Sequence, residues 1–147
     1  MLLVKTKIAP SKIHGLGVFA DEFIAKGTVT WRLAPGYDFF LTREEFDIFP
    51  PAAQEHFLNY CYIDSHTEMY VLCFDNEKFM NHSDEPNIIE GGFQSDFGIV
   101  DISARDIHPG EELVCNYREF DLDAERKLSQ KPIRRRKKTR PPTINGI

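Results

Sequence analysis

Long apolar runs are missing from this chain. No stretch approaches the roughly 18 uninterrupted apolar residues that a membrane helix requires. The opening segment, Met1-Leu2-Leu3-Val4-Lys5, meets a lysine too soon to form the apolar core of a secretion signal. No membrane association is expected, and the expected compartment is the cytoplasm. Cysteine is scarce as well. Cys61, Cys73 and Cys115 are odd in number and contain no C-x-x-C, which argues against a disulfide framework and excludes a four-thiolate zinc site. The five histidines, His14, His56, His66, His82 and His108, neither form H-x-x-x-H nor stand at ligand spacing from a cysteine, so no metal is expected.

What is present suffices for one domain. Of 147 residues, 41% are hydrophobic and 12% aromatic, enough for one core and too few for two ordinary domains. The net charge of −5 hides an asymmetry. Residues 131–147 carry seven basic side chains and no acid, leaving residues 1–130 with 11 basic against 23 acidic residues. The reading is therefore an acidic globular domain over 1–130 and a basic, flexible tail over 131–147. An acidic body suits a basic partner such as a lysine-rich peptide. The tail suits nucleic acid or a nuclear address, or simply folds back on the acidic body.

Turn and strand signals are closely spaced. Leu2 to Ile8, Val18 to Ala20 and Thr28 to Leu33 read as strands separated by glycine turns. Thr42-Arg43-Glu44-Glu45 is a capping box, predicting a short helix to Phe49, and Pro51 opens a second helix through Asn59. Tyr60 to Ile63 and Met69 to Phe74 flank a polar turn as a hairpin. Residues 76–87 read as structured loop, Phe97 to Ile102 and Leu113 to Tyr117 as strands, and Asp121 to Leu128 as a closing helix capped by Asp121 or Asp123. This is not βαβ alternation. Gly15-Leu16-Gly17 therefore does not open a dinucleotide-binding unit: residue 20 is alanine and a strand follows.

Three segments are more specific in combination. They are Lys12-Ile13-His14-Gly15-Leu16-Gly17-Val18-Phe19-Ala20, then Phe79-Met80-Asn81-His82-Ser83-Asp84-Glu85-Pro86-Asn87, then Pro109-Gly110-Glu111-Glu112-Leu113-Val114-Cys115-Asn116-Tyr117. In this order they resemble the SET domain, the fold of S-adenosylmethionine-dependent protein lysine methyltransferases. The second matches N-H-S-x-x-P-N and the third G-E-E-L-x-x-x-Y. The resemblance spans about residues 3–120. It implies a mainly β, β-clip-like fold: several small sheets, a short helical insert, a pseudoknot between the second and third segments, and a C-terminal helix. It also implies a protein-modifying transferase that methylates a lysine side chain of a protein substrate, with S-adenosyl-L-methionine as methyl donor.

The resemblance assigns roles residue by residue. Tyr117 matches the terminal catalytic tyrosine, and Tyr60 and Tyr62 stand where the family carries a second channel tyrosine. Alternation places these two on one strand face. Asn81 and His82 match cofactor contacts, the former to the amino-acid part and the latter, through its backbone, to adenine. Gly15, Leu16 and Gly17 would let the backbone approach the methionine moiety, which a Cβ would obstruct. Tyr117 and Phe120 would flank the cofactor, Phe120 against adenine. Cys115, two residues before Tyr117, stands at a position the family associates with product multiplicity; a small thiol there leaves room for more than one methyl group. Glu112 reads as a structural acceptor. Cysteine-rich flanking segments are lacking, so either Phe120 and the closing helix complete the channel, or a second copy does so as a homodimer. The competing reading is a catalytically inactive SET-fold binding module that recruits a basic protein or nucleic acid.

Overall fold

The computed structural model describes residues 1–129; the basic tail and the nucleic-acid contact expected of it lie outside the described residues. No helix among the described residues is long and apolar enough to cross a membrane. Ten short strands and three short helices follow one another in sequence. They are β1 (Thr6–Pro10), β2 (Leu16–Ala20), β3 (Val29–Arg32), β4 (Phe39–Leu41), α1 (Arg43–Asp47), α2 (Pro51–Leu58), β5 (Tyr62–Ile63) and β6 (Tyr70–Leu72). Then come β7 (Asn81–His82), β8 (Ile88–Gln94), β9 (Gly98–Ser103), β10 (Glu112–Cys115) and α3 (Ala124–Ser129). The strands make three small sheets in the orders β1-β2-β10-β7, β3-β9-β8 and β4-β6-β5. This is the mainly β, several-sheet architecture expected from the motifs.

The helical insert forms for local reasons. The Thr42 hydroxyl accepts from Glu45 N–H at 3.2 Å, and Glu45 returns a carboxylate to Thr42 N–H at 2.8 Å, so the capping box is complete. Pro51 at the first position of α2 has no amide proton to leave unpaired. The insert is anchored by Phe46, which stacks on Tyr70 of β6 at 4.3 Å and packs with Phe49 and Phe57. A separate core of Val18, Ala20, Ile24, Met80, Ile88, Ile107 and Leu113 lies beneath the first sheet.

Several elements differ from the sequence expectation. The first strand begins at Thr6, and Leu2 makes only an isolated bridge to Trp31. Strands β4 and β8 were not expected; β8 contains Gly91-Gly92 and shifts register between Glu90 and Gly92, so its alternation is broken. Gly91 is needed there because a Cβ would stand 2.9 Å from Val100 Cγ2 on β9. The loop over 76–87 contains a 3₁₀ turn, Asn76–Phe79, and β7. Tyr60 is not on a strand: its N–H donates to Phe57 O, so it closes the last turn of α2 while Tyr62 begins β5.

One interlock joins the second and third motifs. Strand β7 runs parallel to β10, with Val114 opposite Asn81 and Cys115 opposite His82. The chain then leaves β7 and returns to the same strand. Ser83 N–H donates to Cys115 O at 2.9 Å, and Asn87 N–H to Val114 O at 3.1 Å. The Asn87 side chain, 3% exposed, donates Nδ2–H to Glu112 O and accepts Val114 N–H, both at 2.8 Å. Two main-chain groups thus depend on one buried amide. Replacing Asn87 with alanine strands both, and at about 1–3 kcal/mol for each lost partner the expected cost is about 2–5 kcal/mol, read as a lowered denaturation midpoint in urea. A loss within experimental error would show that Asn87 does not hold the interlock.

Candidate functional site

Tyr117 stands where the interlock ends. Its register follows from β10 pairing with β7, one residue after Asn116, whose side chain caps a 3₁₀ turn over Tyr117–Glu119. The phenol donates to Met80 O at 2.5 Å. The Tyr117 N–H donates to His82 Nδ1 at 3.2 Å, which leaves Nε2 of that ring to donate to Asp84 at 3.2 Å. Burial, the main cause, pushes the Tyr117 phenol well above its ordinary value, with Cys115 adding to the shift. A phenol so placed stays protonated and spends its proton on a carbonyl, so its free lone pairs are what it offers a ligand.

Two hollows meet at this residue. One is a narrow, partly open channel of about 150 Å³, walled by Tyr60, Tyr62, Cys115, Tyr117 and Phe120. The other is a broader cleft of about 700 Å³, bounded by Ile13, Gly15, Leu16, Asn81, His82 and Leu128. Tyr60, Met80, Tyr117 and Lys127 line both. The channel wall is aromatic and rigid. Phe120 sits edge-on to Tyr62 at 5.2 Å and to Tyr117 at 6.1 Å, and Tyr60 is edge-on to Phe79 at 5.6 Å. Burial also drives the Tyr62 phenol far above its usual value.

The segment after Tyr117 closes the channel within the same chain. Ser65 N–H donates to Phe120 O at 3.0 Å and Leu122 N–H to Ile63 O at 2.9 Å, tying it to the β5 hairpin. Asp121, 6% exposed, accepts from Ile63 N–H and from Lys127 Nζ, while Lys127 Nζ also donates to Cys61 O at 2.5 Å. The Lys127 ammonium lies 5.7 Å from the centre of the Tyr117 ring. Helix α3 therefore contributes Lys127 to both hollows. Asp123, one of its two expected caps, holds Arg126 through both carboxylate oxygens, at 2.9 and 2.7 Å to Nε.

The residues expected to touch the cofactor divide. Gly15, with φ of +48°, and the exposed Leu16 line the cleft beside His82 and Asn81. Asn81 is 7% exposed and its Nδ2 is engaged by His14 O, Leu16 O and Glu112 Oε1 at 2.8–3.1 Å, so that amide shapes the glycine loop. Glu112 accepts from Ser11 as well. Gly17 departs from the expectation. It does not line the cleft, and a Cβ there would collide with the Glu112 carboxylate, so its bare backbone makes room for that carboxylate. Phe120 departs too. The 3₁₀ turn after Tyr117 brings its ring into the channel, not the cleft. Tyr60 and Tyr62 come from different elements yet wall one channel.

Sequence reasoning missed Met80, Glu77, Asp101, Trp31 and Lys127, all of which line the channel. Met80 is used through its carbonyl, which no side-chain motif reveals. Lys127 had a readable signal: it lies six residues after Asp121, on a short helix whose start was legible.

A sequence model of the SET domain matches residues 15–118. A comparison with curated protein sequences returns no match. Among solved structures, the chain resembles a candidate histone methyltransferase of Plasmodium falciparum, with 21% identity and a TM-score of 0.55 over 79% of this chain and 95% of that one. It also resembles a chain of Polycomb Repressive Complex 2 from Chaetomium thermophilum solved with the inhibitor GSK126, at 20% identity and a TM-score of 0.62. A third likeness is to that complex in an autoinhibited conformation bound to S-adenosylmethionine, at 19% identity and a TM-score of 0.61. The chain covers 85% of itself in both Polycomb comparisons but only 17% and 16% of the partner chains. These identities speak to the fold; the family model spans most of the sequence, and with the interlock and the motif order it decides the assignment. The chain belongs to the SET domain family.

Proposed function

We propose that this chain is a protein lysine N-methyltransferase that uses S-adenosyl-L-methionine. The observation that carries the reading is the meeting of a broad cleft and a narrow aromatic channel at one buried phenol, Tyr117. When bound, S-adenosylmethionine supplies an electrophilic methyl group on a sulfonium. The cleft fits a molecule of that kind. Its size falls within the range of about 300–1,000 Å³ usual for small-molecule sites, and it combines apolar walls at Ile13, Leu16 and Leu128 with polar groups at Asn81 and His82. At Gly15 an added Cβ would meet nothing within 4 Å, so the backbone there is open to a ligand. Gly15, Leu16, His82 and Tyr117 would hold the donor, and Asn81 would act by shaping the loop.

The rest of the work falls to the channel. Transfer to an amine needs alignment and little water more than it needs an acid–base pair at the reacting carbon. The edge-to-face rings of Tyr62, Phe120 and Tyr117 exclude water and confine a long, thin side chain. A lysine stem has that shape, and its apolar methylenes suit aromatic walls. Tyr117 orients the amine with its lone pairs while Met80 O holds its proton. The acidic body favours a basic peptide around the target lysine. The small Cys115 side chain in the channel wall leaves space for an amine already methylated.

Tyr117→Phe tests the central assignment. The variant keeps the ring that lines the cleft, so calorimetric titration should still detect cofactor binding, while methyl transfer to a lysine-containing protein falls by about 100–1,000-fold, the range for one oriented polar contact at a reacting centre. Equal activity in the variant would remove Tyr117 from the chemistry. Failure of the wild-type chain to bind S-adenosylmethionine would favour the binding-module reading. Cys115→Phe narrows the channel. Mass spectrometry of the product should then shift toward fewer methyl groups per lysine, and an unchanged distribution would show that Cys115 does not bound the amine's space.

A further inference from the structure

One part of the channel wall is acidic. There it is lined by Trp31 of β3, Glu77 of the 3₁₀ turn and Asp101 of β9. Trp31 is 5% exposed and its Nε1 has no hydrogen-bond partner; the buried Oε2 of Glu77 has none either. An unpartnered donor and an unpartnered acceptor thus belong to residues lining one hollow, whose volume admits a bridging water. A buried carboxylate without a partner is costly unless a cation or a proton joins it.

The charges around the two acids are known. Burial is the main reason that Glu77 lies well above the carboxylate range. Asp101, Asp75 and Asp38 reinforce the shift, and the Met1 amino group opposes it. Burial first and Glu90 second push Asp101 up to about 7, again opposed by the Met1 amino group. Lys78 also lines the channel and donates to Phe74 O at 3.3 Å; His66 and Glu90 line it too, as do Cys61 and Cys73, whose thiols burial raises. The remaining acids facing it are committed elsewhere. Asp121 is paired with Lys127, Asp64 accepts the amides of its own turn, and Glu119 accepts from Asn116. The phenols of Tyr62 and Tyr117 and the Cys115 thiol are all raised by burial and hold their protons. Among the described residues, no three His, Cys, Asp or Glu side chains are grouped to hold a metal ion.

A lysine reaches the channel as an ammonium, and only the free amine is nucleophilic. We propose that Glu77 and Asp101 form the proton acceptor for that ammonium. One N–H bond breaks, its electron pair stays on nitrogen, and the proton forms an O–H bond on the carboxylate pair, directly or across a water between Trp31 Nε1 and Glu77 Oε2. The pair then returns the proton to solvent before the next turnover. The inference rests on the lysine methyl-transfer reading and supplies the base that Tyr117 cannot be. Asp101, pushed up to about 7, suits this task, because a group that titrates near neutrality is partly ionised at working pH yet binds a proton readily.

The test compares Glu77→Gln and Asp101→Asn with wild type from about pH 6.5 to 10, using a lysine-containing peptide and saturating S-adenosylmethionine. Each variant should lose about tenfold or more in kcat near pH 7.5 and recover most of it near pH 10, where solution itself supplies the free amine. Cofactor affinity should stay within about twofold. A rate loss equal at every pH would assign the acids a structural role and overturn the proposal, as would unchanged rates. A wild-type chain that transfers no methyl group overturns this inference together with the function it rests on. Thermal unfolding gives a second readout independent of turnover. A carboxyl raised to about 7 when folded carries no penalty near pH 3, where it is protonated in both states, and a growing one as pH rises from its ordinary value through 7. Asp101→Asn should therefore melt with wild type near pH 3 and above it near pH 8. Without that pH-dependent gain, Asp101 does not titrate near neutrality and the acceptor role falls.

Discussion

The side chain of Asn87 gives a proton to the Glu112 carbonyl and takes one from the Val114 amide, and those two bonds hold together motifs separated by a whole hairpin. Strand β7 is only two residues long and could not fix β10 alone. With Asn87 and Ser83 gripping the same strand, Tyr117 is delivered to the Met80 carbonyl in one register. Asn81 works the same way on the other side, drawing the His14 and Leu16 carbonyls and the Glu112 carboxylate around one amide. Both asparagines of the second motif are thus structural cement. Their chemistry is indirect: they set where the cleft ends and the channel begins.

This explains what could be read from the sequence. Elements with local causes were legible: the Thr42 capping box, Pro51 at the start of α2, and the hairpin across Asp64 to Thr67. Strand β8 was not, because Gly91-Gly92 breaks its alternation and its partner β9 supplies the stability. At the site, motif order placed Tyr117, Asn81, His82 and Gly15 around one junction. Backbone direction was the part that could not be read. Whether Phe120 faces cleft or channel depends on a 3₁₀ turn, and whether Gly17 is bare for a ligand or for Glu112 depends on a contact with a residue far along the chain. Periodicity carries neither fact. The acids of the channel wall were invisible for a related reason: Glu77 sits in a polar run and Asp101 in an apolar strand, and only the fold brings both to one hollow.

The electrostatics separate two demands that one group cannot meet. An oriented phenol with a raised pKa keeps its proton and offers lone pairs, so it positions an amine but does not deprotonate it. The two acids in the channel wall differ from it: Glu77 has an oxygen without a partner, and Asp101 is pushed up to about 7. Lys127 is neutralised by Asp121 and tied to the Cys61 carbonyl, so a cation beside the Tyr117 ring is present without competing for a proton acceptor.

The hairpin between β8 and β9 separates the two halves of the interlock, yet its far end, around Phe93 to Phe97, lines neither hollow. Loop closure penalises added length only slowly, and exposed tips are where extra chain is best tolerated. That tip is consequently a grafting point: a fluorophore tag, an affinity handle or a whole reader domain inserted there would ride on the SET domain without covering either hollow.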